Sequence, residues 1–358
     1  MEIKAKNRLT SWVKFITIAL LVFSVASMVL MALLFRLYFG RSELKPDEIA
    51  LNYNDINPIK YPRKTIKFDS NGNFLRGYIY GEDNRNGLII YAHGIYSGAD
   101  SFLAETLYFV DNGWCVFAFD GTGSRESEGK GIGGLPQGKV DVEAALDYIS
   151  NDDILSKLPV ILYGHSMGGY GVASALNNRA DEVSAVICNA AFNSPMDTMY
   201  YQIKNVAKFI AVVEYPFIWL YQRSVYGKDF DITAVDGINA SNTPILIIYS
   251  ESDTTIPYDE IGIYAYRDSI TNQSVVFKSL DTQYDGHTTV LLSEESGKYS
   301  TEQWEALYEL RDSYGSDIPE VILSEFIDSI DKSKMSELNL TRMEFINNFM
   351  IDAITIVE

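Results

Sequence analysis

The chain has 358 residues, 47% of them apolar and 13% aromatic, which allows one large domain or two small ones and excludes a disordered chain. Two cysteines and three histidines argue against a disulfide scaffold and against a Cys- or His-rich metal centre, so no metal or cofactor is expected. The net charge of -19 disfavours nucleic acid as a partner, because phosphates would be repelled.

The charge is unevenly spread. Residues 1–45 carry seven Lys/Arg against two Glu, and the remainder carries 22 basic and 46 acidic side chains. From Phe15 to Phe35 nothing is charged, and as a helix these 21 residues would cross the hydrocarbon core of about 30 Å at about 1.5 Å per residue. The expectation is a transmembrane helix at 15–35, with a basic tail at 1–14 and a connector at 36–61. A cleaved signal peptide is the alternative, with Val25-Ala26-Ser27 as a weak cleavage site, but its apolar region would be only about 7–15 residues long. A buried soluble helix would show polar positions at a 3.6-residue period. Lys4, Lys6, Arg8 and Lys14 precede the span, and Arg36, Arg41 and Lys45 follow it amid Glu43, Asp47 and Glu48. That four-to-three bias puts the N-terminus in the cytoplasm and the body on the extracytoplasmic side.

After Pro46, Pro58 and Pro62, Thr65–Phe68 and Phe74–Tyr80 flank a turn and read as an antiparallel hairpin. Compact apolar runs follow at Leu88–Tyr91, Trp114–Phe119, Val160–Tyr163, Ala185–Cys188, Ile245–Tyr249 and Ser274–Phe277. Helix-like segments separate most of them, such as Val140–Ile149, where Val142, Ala145, Leu146 and Ile149 share a face. Buried strands alternating with amphipathic helices predict an α/β fold with a mainly parallel sheet covered on both sides. An insertion between Phe192 and Pro244 and a helical tail after about Thr301 interrupt the alternation.

The run Val160–Tyr163 leads straight into Gly164-His165-Ser166-Met167-Gly168-Gly169, and a helix-like segment, Tyr170–Leu176, follows. Small residues two positions either side of a serine permit a strained strand-to-helix turn that exposes its hydroxyl. The helix N-terminus there offers free N–H groups to a developing oxyanion. A serine nucleophile needs a base, and the base needs an orienting carboxylate. His287, in Asp285-Gly286-His287-Thr288-Thr289, is the only histidine downstream of Ser166. Asp253 follows the run Ile245–Tyr249; Glu251 and Asp285 compete with it, but Asp285 is too close in sequence to reach the far side of the ring. The order Ser166, Asp253, His287 is that of one type of serine hydrolase.

These motifs resemble the α/β-hydrolase family over about residues 62–355, with an eight-stranded sheet and a helical cap at about 193–243. His93-Gly94 is similar to the family's oxyanion-loop motif, which implies that the N–H groups of Ile95 and Met167 form the oxyanion hole. Asp120 to Gly129 resembles the loop after the fourth strand, without the usual Arg-Gly pair, and carries no catalytic role. Gly134-Leu135-Pro136-Gln137 is similar to bacterial members described as serine-aminopeptidase-like or prolyl-oligopeptidase-like, labels that describe kinship of fold.

His93 is expected to shape its loop, and His165 to point away from the reaction. Cys115 and Cys188 read as buried hydrophobes on non-adjacent strands. Met199, Tyr200, Tyr201, Phe209, Tyr215, Phe217, Trp219, Tyr221 and Tyr226 make the cap aromatic; they either wall an apolar acyl pocket or pack the cap onto the sheet. Thr341 and Glu344 form a capping-box pattern ahead of Ile346, Phe349, Met350 and Ala353. The resulting expectation is a membrane-anchored serine hydrolase acting on a small-molecule ester or acyl substrate. The alternatives are a peptidase that trims short peptides and a catalytically silent binding module.

Overall fold

Alternate residues of each central strand enter different cores, which is why those strands read as unbroken apolar runs. A computed structural model of the chain describes residues 2–43, 48–280, 284, 286–315 and 318–355. Lys45, Pro46 and Asp47 of the connector, and the competing acid Asp285, lie outside the described residues. The strands are β1 (Arg63–Ser70), β2 (Asn73–Tyr80), β3 (Leu88–Ala92), β4 (Cys115–Phe119), β5 (Val160–His165), β6 (Ala185–Asn189), β7 (Ile245–Ser250) and β8 (Val275–Leu280). They form one sheet in the order β1-β2-β4-β3-β5-β6-β7-β8. Pairing is antiparallel for β1 with β2 and β2 with β4, and parallel thereafter. The mainly parallel eight-stranded α/β sheet expected from the sequence is present.

The helices are α1 (Glu2–Tyr38), α2 (Leu103–Asp111), α3 (Gln137–Ser150), α4 (Met167–Arg179), α5 (Pro195–Ala207), α6 (Phe209–Tyr226), α7 (Ala234–Asn239), α8 (Glu294–Tyr314), α9 (Glu320–Asp328), α10 (Lys332–Met335) and α11 (Leu340–Thr355). On one sheet face Ile90, Phe117, Leu162 and Cys188 pack with Val142, Val172 and Ile238 of α3, α4 and α7. On the other, Tyr91, Val116, Tyr163 and Ile187 pack with Phe109 of α2 and with Met343, Ile346 and Met350 of α11. Cys115 and Cys188 are free and buried, on strands separated by β3 and β5.

The capping box expected at Thr341 and Glu344 does not start α11. Asn339 does, its Oδ1 accepting the Arg342 N–H at 3.1 Å, so Thr341 already lies inside the helix. The helix is held to the body by a buried bond in which Trp114 Nε1–H donates to Asn347 Oδ1 at 2.8 Å. Asn347→Ala leaves that indole N–H buried and unpaired, and urea denaturation is expected to show a loss of about 1–3 kcal/mol.

Candidate active site

Ser166 joins β5 to α4 with φ 53° and ψ -115°, a conformation that L side chains rarely adopt. Two glycines allow it. A Cβ on Gly164 would meet the Gly168 carbonyl oxygen at 2.3 Å, and one on Gly168 would meet that of Ala92 at 2.1 Å. The Ser166 N–H donates to the Asn189 carbonyl at 2.9 Å, tying the turn to β6.

The three side chains singled out by the sequence meet here. His287 Nε2 lies 2.9 Å from Ser166 Oγ, and its Nδ1 lies 2.7 Å from Asp253 Oδ2. Asp253 is buried, and its Oδ1 accepts the N–H groups of Thr255 at 2.8 Å and Ile256 at 3.0 Å. Glu251 is turned away, accepting the Ser279 hydroxyl at 2.7 Å. Ile95 and Met167 line the same cavity as Ser166, and Met167 is the first residue of α4, where backbone N–H groups lack helical partners.

The other two histidines act on loops. The Gly121 N–H donates to His93 Nε2 at 2.8 Å, so Nδ1–H donates to the Gly94 carbonyl at 2.6 Å and anchors the loop that carries Ile95. His165 lines the same cavity as Ser166, and its Nε2 lies 2.8 Å from the backbone carbonyl of His287. It thereby holds the loop of His287, a contact invisible in sequence because the partner atom is main chain 122 residues away.

The cavity above Ser166 has a volume of about 850 Å³, and among the described residues no charged side chain lines it. Of the aromatic cap set only Met199 reaches it; Ile203 and Val206 of α5 supply more of that wall. The rings of α6 turn elsewhere: Phe217 packs on Phe23, Tyr221 on Phe35 and Trp219 on Phe230. A further wall comes from α1, through Met31, Leu34, Phe35, Leu37 and Tyr38, and from Phe39 just after it. This helix runs past both ends of the expected 15–35 span, and its segment Thr10–Tyr38 is long and apolar enough to cross a membrane.

The loop from Asp120 to Gly129 receives the end of that helix. The Ser42 N–H donates to the Gly123 carbonyl at 2.8 Å, and the Arg125 N–H to the Ser42 carbonyl at 2.7 Å. The Arg41 guanidinium donates to the Ser127 carbonyl at 2.7 Å, and the Tyr96 hydroxyl to the Tyr38 carbonyl.

Residues 83–225 match the family model described as serine aminopeptidase, S33, a stretch that holds Ser166 but neither Asp253 nor His287. The fold is similar to that of an esterase from Pyrococcus furiosus, at 17% identity over 75% of this chain and 95% of that one, with a TM-score of 0.53. The chain has the α/β-hydrolase fold. The same α/β-hydrolase core is similar to Est1E from Butyrivibrio proteoclasticus, solved with ferulic acid bound, at 18% identity over 68% of this chain and 97% of that one, with a TM-score of 0.50. No curated protein matches the sequence.

Burial lowers both loop histidines, His165 to about 3 and His93 to about 4, because it disfavours the charged imidazole. Each folded value lies below the unfolded value of about 6.5, so the unfolded chain binds the extra proton in between. The stability tied to each neutral ring is complete above about pH 6.5 and is lost as pH falls toward the folded value, by up to about 1.4 kcal/mol per unit and per ring. Urea unfolding of the full chain in detergent between pH 7 and 4.5 is expected to have a shallower acid loss in His165→Phe than in the unaltered protein. The comparison is of slopes, since Asp120, raised to about 6 by burial, opposes the trend in both. Equal slopes would mean that His165 is not held neutral.

Proposed function

We propose that this chain is a membrane-anchored serine hydrolase that cleaves carboxylic esters through an acyl-enzyme. The observation that carries the reading is the Ser166–His287–Asp253 chain of contacts, at 2.9 and 2.7 Å, on a strained turn facing an apolar cavity. Ser166 Oγ attacks the ester carbonyl carbon while His287 Nε2 takes the hydroxyl proton. The Ile95 and Met167 N–H groups donate to the oxyanion, and Asp253 orients the ring and stabilises the imidazolium. When the carbon–oxygen bond breaks, the proton passes from Nε2 to the leaving alkoxide. Water, deprotonated by the same nitrogen, then attacks the acyl carbon and frees Ser166 and a carboxylic acid. Ser166→Ala is expected to lower kcat/KM on a short-chain aryl ester by at least about a thousandfold and to abolish fluorophosphonate labelling. Labelling that persists in this variant would remove the nucleophile assignment.

The name of the matched family model brings amide cleavage as a second reading. A free α-ammonium group calls for a carboxylate in the pocket, and the cavity lining holds none among the described residues. Esters also leave more readily than amines. With paired aminoacyl substrates the ester is expected to be preferred; a clear amide preference would reverse the ranking.

The anchor rests on α1. Only 17% of its apolar window is buried inside the chain, which does not fit a core helix. Cleavage at Val25-Ala26-Ser27 would strip Phe23 from Phe217 and break the bond from Ser27 Oγ to Glu214 Oε1. The charge bias puts the body on the extracytoplasmic side. The full chain is expected to resist carbonate extraction, and protease added to intact cells should digest the body; protection would reverse the orientation.

A further inference from the structure

We propose that the cavity takes a single long acyl chain presented by the bilayer, and that α1 is a wall of the substrate site as well as an anchor. The proposal rests on the serine-hydrolase reading and deepens it to a substrate class, a membrane-resident ester with one long acyl chain.

Position along α1 carries the argument. Lys14 and Arg36 bound the uncharged stretch, whose 21 residues match the roughly 30 Å hydrocarbon core at about 1.5 Å per residue. The wall residues Met31, Leu34 and Phe35 occupy the last turns of that stretch, and Leu37, Tyr38 and Phe39 continue it. The cavity therefore sits at the boundary between hydrocarbon and headgroups, within reach of the outer leaflet. Sliding the helix does not remove the relation. The apolar segment has 29 residues and the core needs about 20, so the final turns lie at that boundary or deeper.

The cap follows the helix. It meets α1 alongside residues 23–35, through Phe217 on Phe23, the Ser27–Glu214 bond and Tyr221 on Phe35. Its outward face carries large apolar side chains, Val206 at 89% exposed and Phe209 at 76%, interspersed with exposed Lys204, Lys208 and Arg223. Ile210, Val212, Leu220 and Val225 are exposed as well. An apolar patch of this kind beside a membrane helix is a membrane contact surface.

The rim of the cavity is part of the same surface. Leu34 and Leu37 from α1 and Val206 from α5 both line the cavity and stand exposed. An acyl chain moving from the leaflet over this rim toward Ser166 first meets the apolar side chains of Leu34, Leu37 and Val206. The wall holds its distance from Ser166 because residues 41–43 are bonded to the loop at 123–127, and that loop to the sheet: the Arg76 N–H of β2 donates to Ser127 Oγ at 2.8 Å, and Ser127 Oγ–H to the Asp120 carbonyl.

The test uses the full-length protein reconstituted in phosphatidylcholine vesicles, with a short-chain fluorophosphonate to report an active Ser166 in every sample. Monoacylglycerols of four to sixteen acyl carbons are supplied in the vesicles, and a twelve-carbon ester is also supplied as monomer in solution. The expected result is a rise in kcat/KM of at least about a hundredfold from four to twelve carbons, since each buried methylene adds a severalfold gain. Hydrolysis of the twelve-carbon ester is expected to be faster from vesicles than from solution. Leu34→Trp, which narrows the cavity from the α1 side, is expected to lower the ratio of long-chain to short-chain rates at least tenfold, with Ser166 still labelled. Flat chain-length dependence, or an unchanged ratio in Leu34→Trp, with Ser166 labelled would overturn the acyl-site proposal and leave the hydrolase reading intact. Equal rates from vesicle and solution would overturn delivery from the bilayer. Absence of labelling at Ser166 would instead remove the hydrolase reading on which the proposal rests.

Discussion

Everything at the site depends on one backbone angle. Ser166 holds a positive φ, which costs a non-glycine residue on the order of 1–3 kcal/mol and persists only where its surroundings enforce it. The enforcing contacts come from β5, from α4 and from β6, whose Asn189 carbonyl takes the Ser166 N–H. Gly164 and Gly168 let strand and helix approach until only hydrogen atoms fit between them. At this turn the Ser166 hydroxyl lies 2.9 Å from His287 Nε2, and Met167, the first residue of α4, lines the same cavity.

The histidines divide along similar lines. His287 sits on a loop, where its ring can reach Ser166 Oγ on one side and Asp253 on the other. A loop is a poor place from which to hold a ring to a fraction of an ångström, and two supports compensate. Asp253 is itself fixed by two backbone N–H groups, and His165 grips the carbonyl of His287. His93 does for the Gly94–Ile95 segment what His165 does for the base. Burial keeps both supporting rings neutral, so each offers one donor nitrogen at any pH where the fold persists.

The other governing feature is the seam between α1 and the body. Helix α1 buries Met31, Phe35 and Phe39 in the same core as α3 and α4 while leaving its remaining faces apolar and open. The four-residue spacing of these positions puts them on one stripe, facing the cap and the cavity. The loop from Asp120 to Gly129 is the dock for residues following α1. Removing α1 would therefore open the cavity.

Strand identity, the serine turn and the chain order of Ser166, Asp253 and His287 were legible from the amino-acid sequence, because each depends on local pattern. Buried parallel strands must be apolar throughout, a strained turn needs small residues at fixed offsets, and a triad needs its residue types in order after strands. The start of α11 was misread at Thr341, since Asn339 offers an equally good cap and only the direction of the chain entering the helix selects between them. The cap aromatics were legible as apolar but not as to what they face. An aromatic ring gains similar free energy against a sheet, a ligand or another helix, so composition does not choose among them. The uncharged run of α1 likewise marked a helix long and apolar enough to cross a membrane. That its last turns wall the cavity, that the Asp120 loop receives its end and that His165 holds a carbonyl 122 residues away were decided by tertiary structure. Such contacts join surfaces and main-chain atoms distant in sequence, and a main-chain carbonyl leaves no mark in the order of side chains.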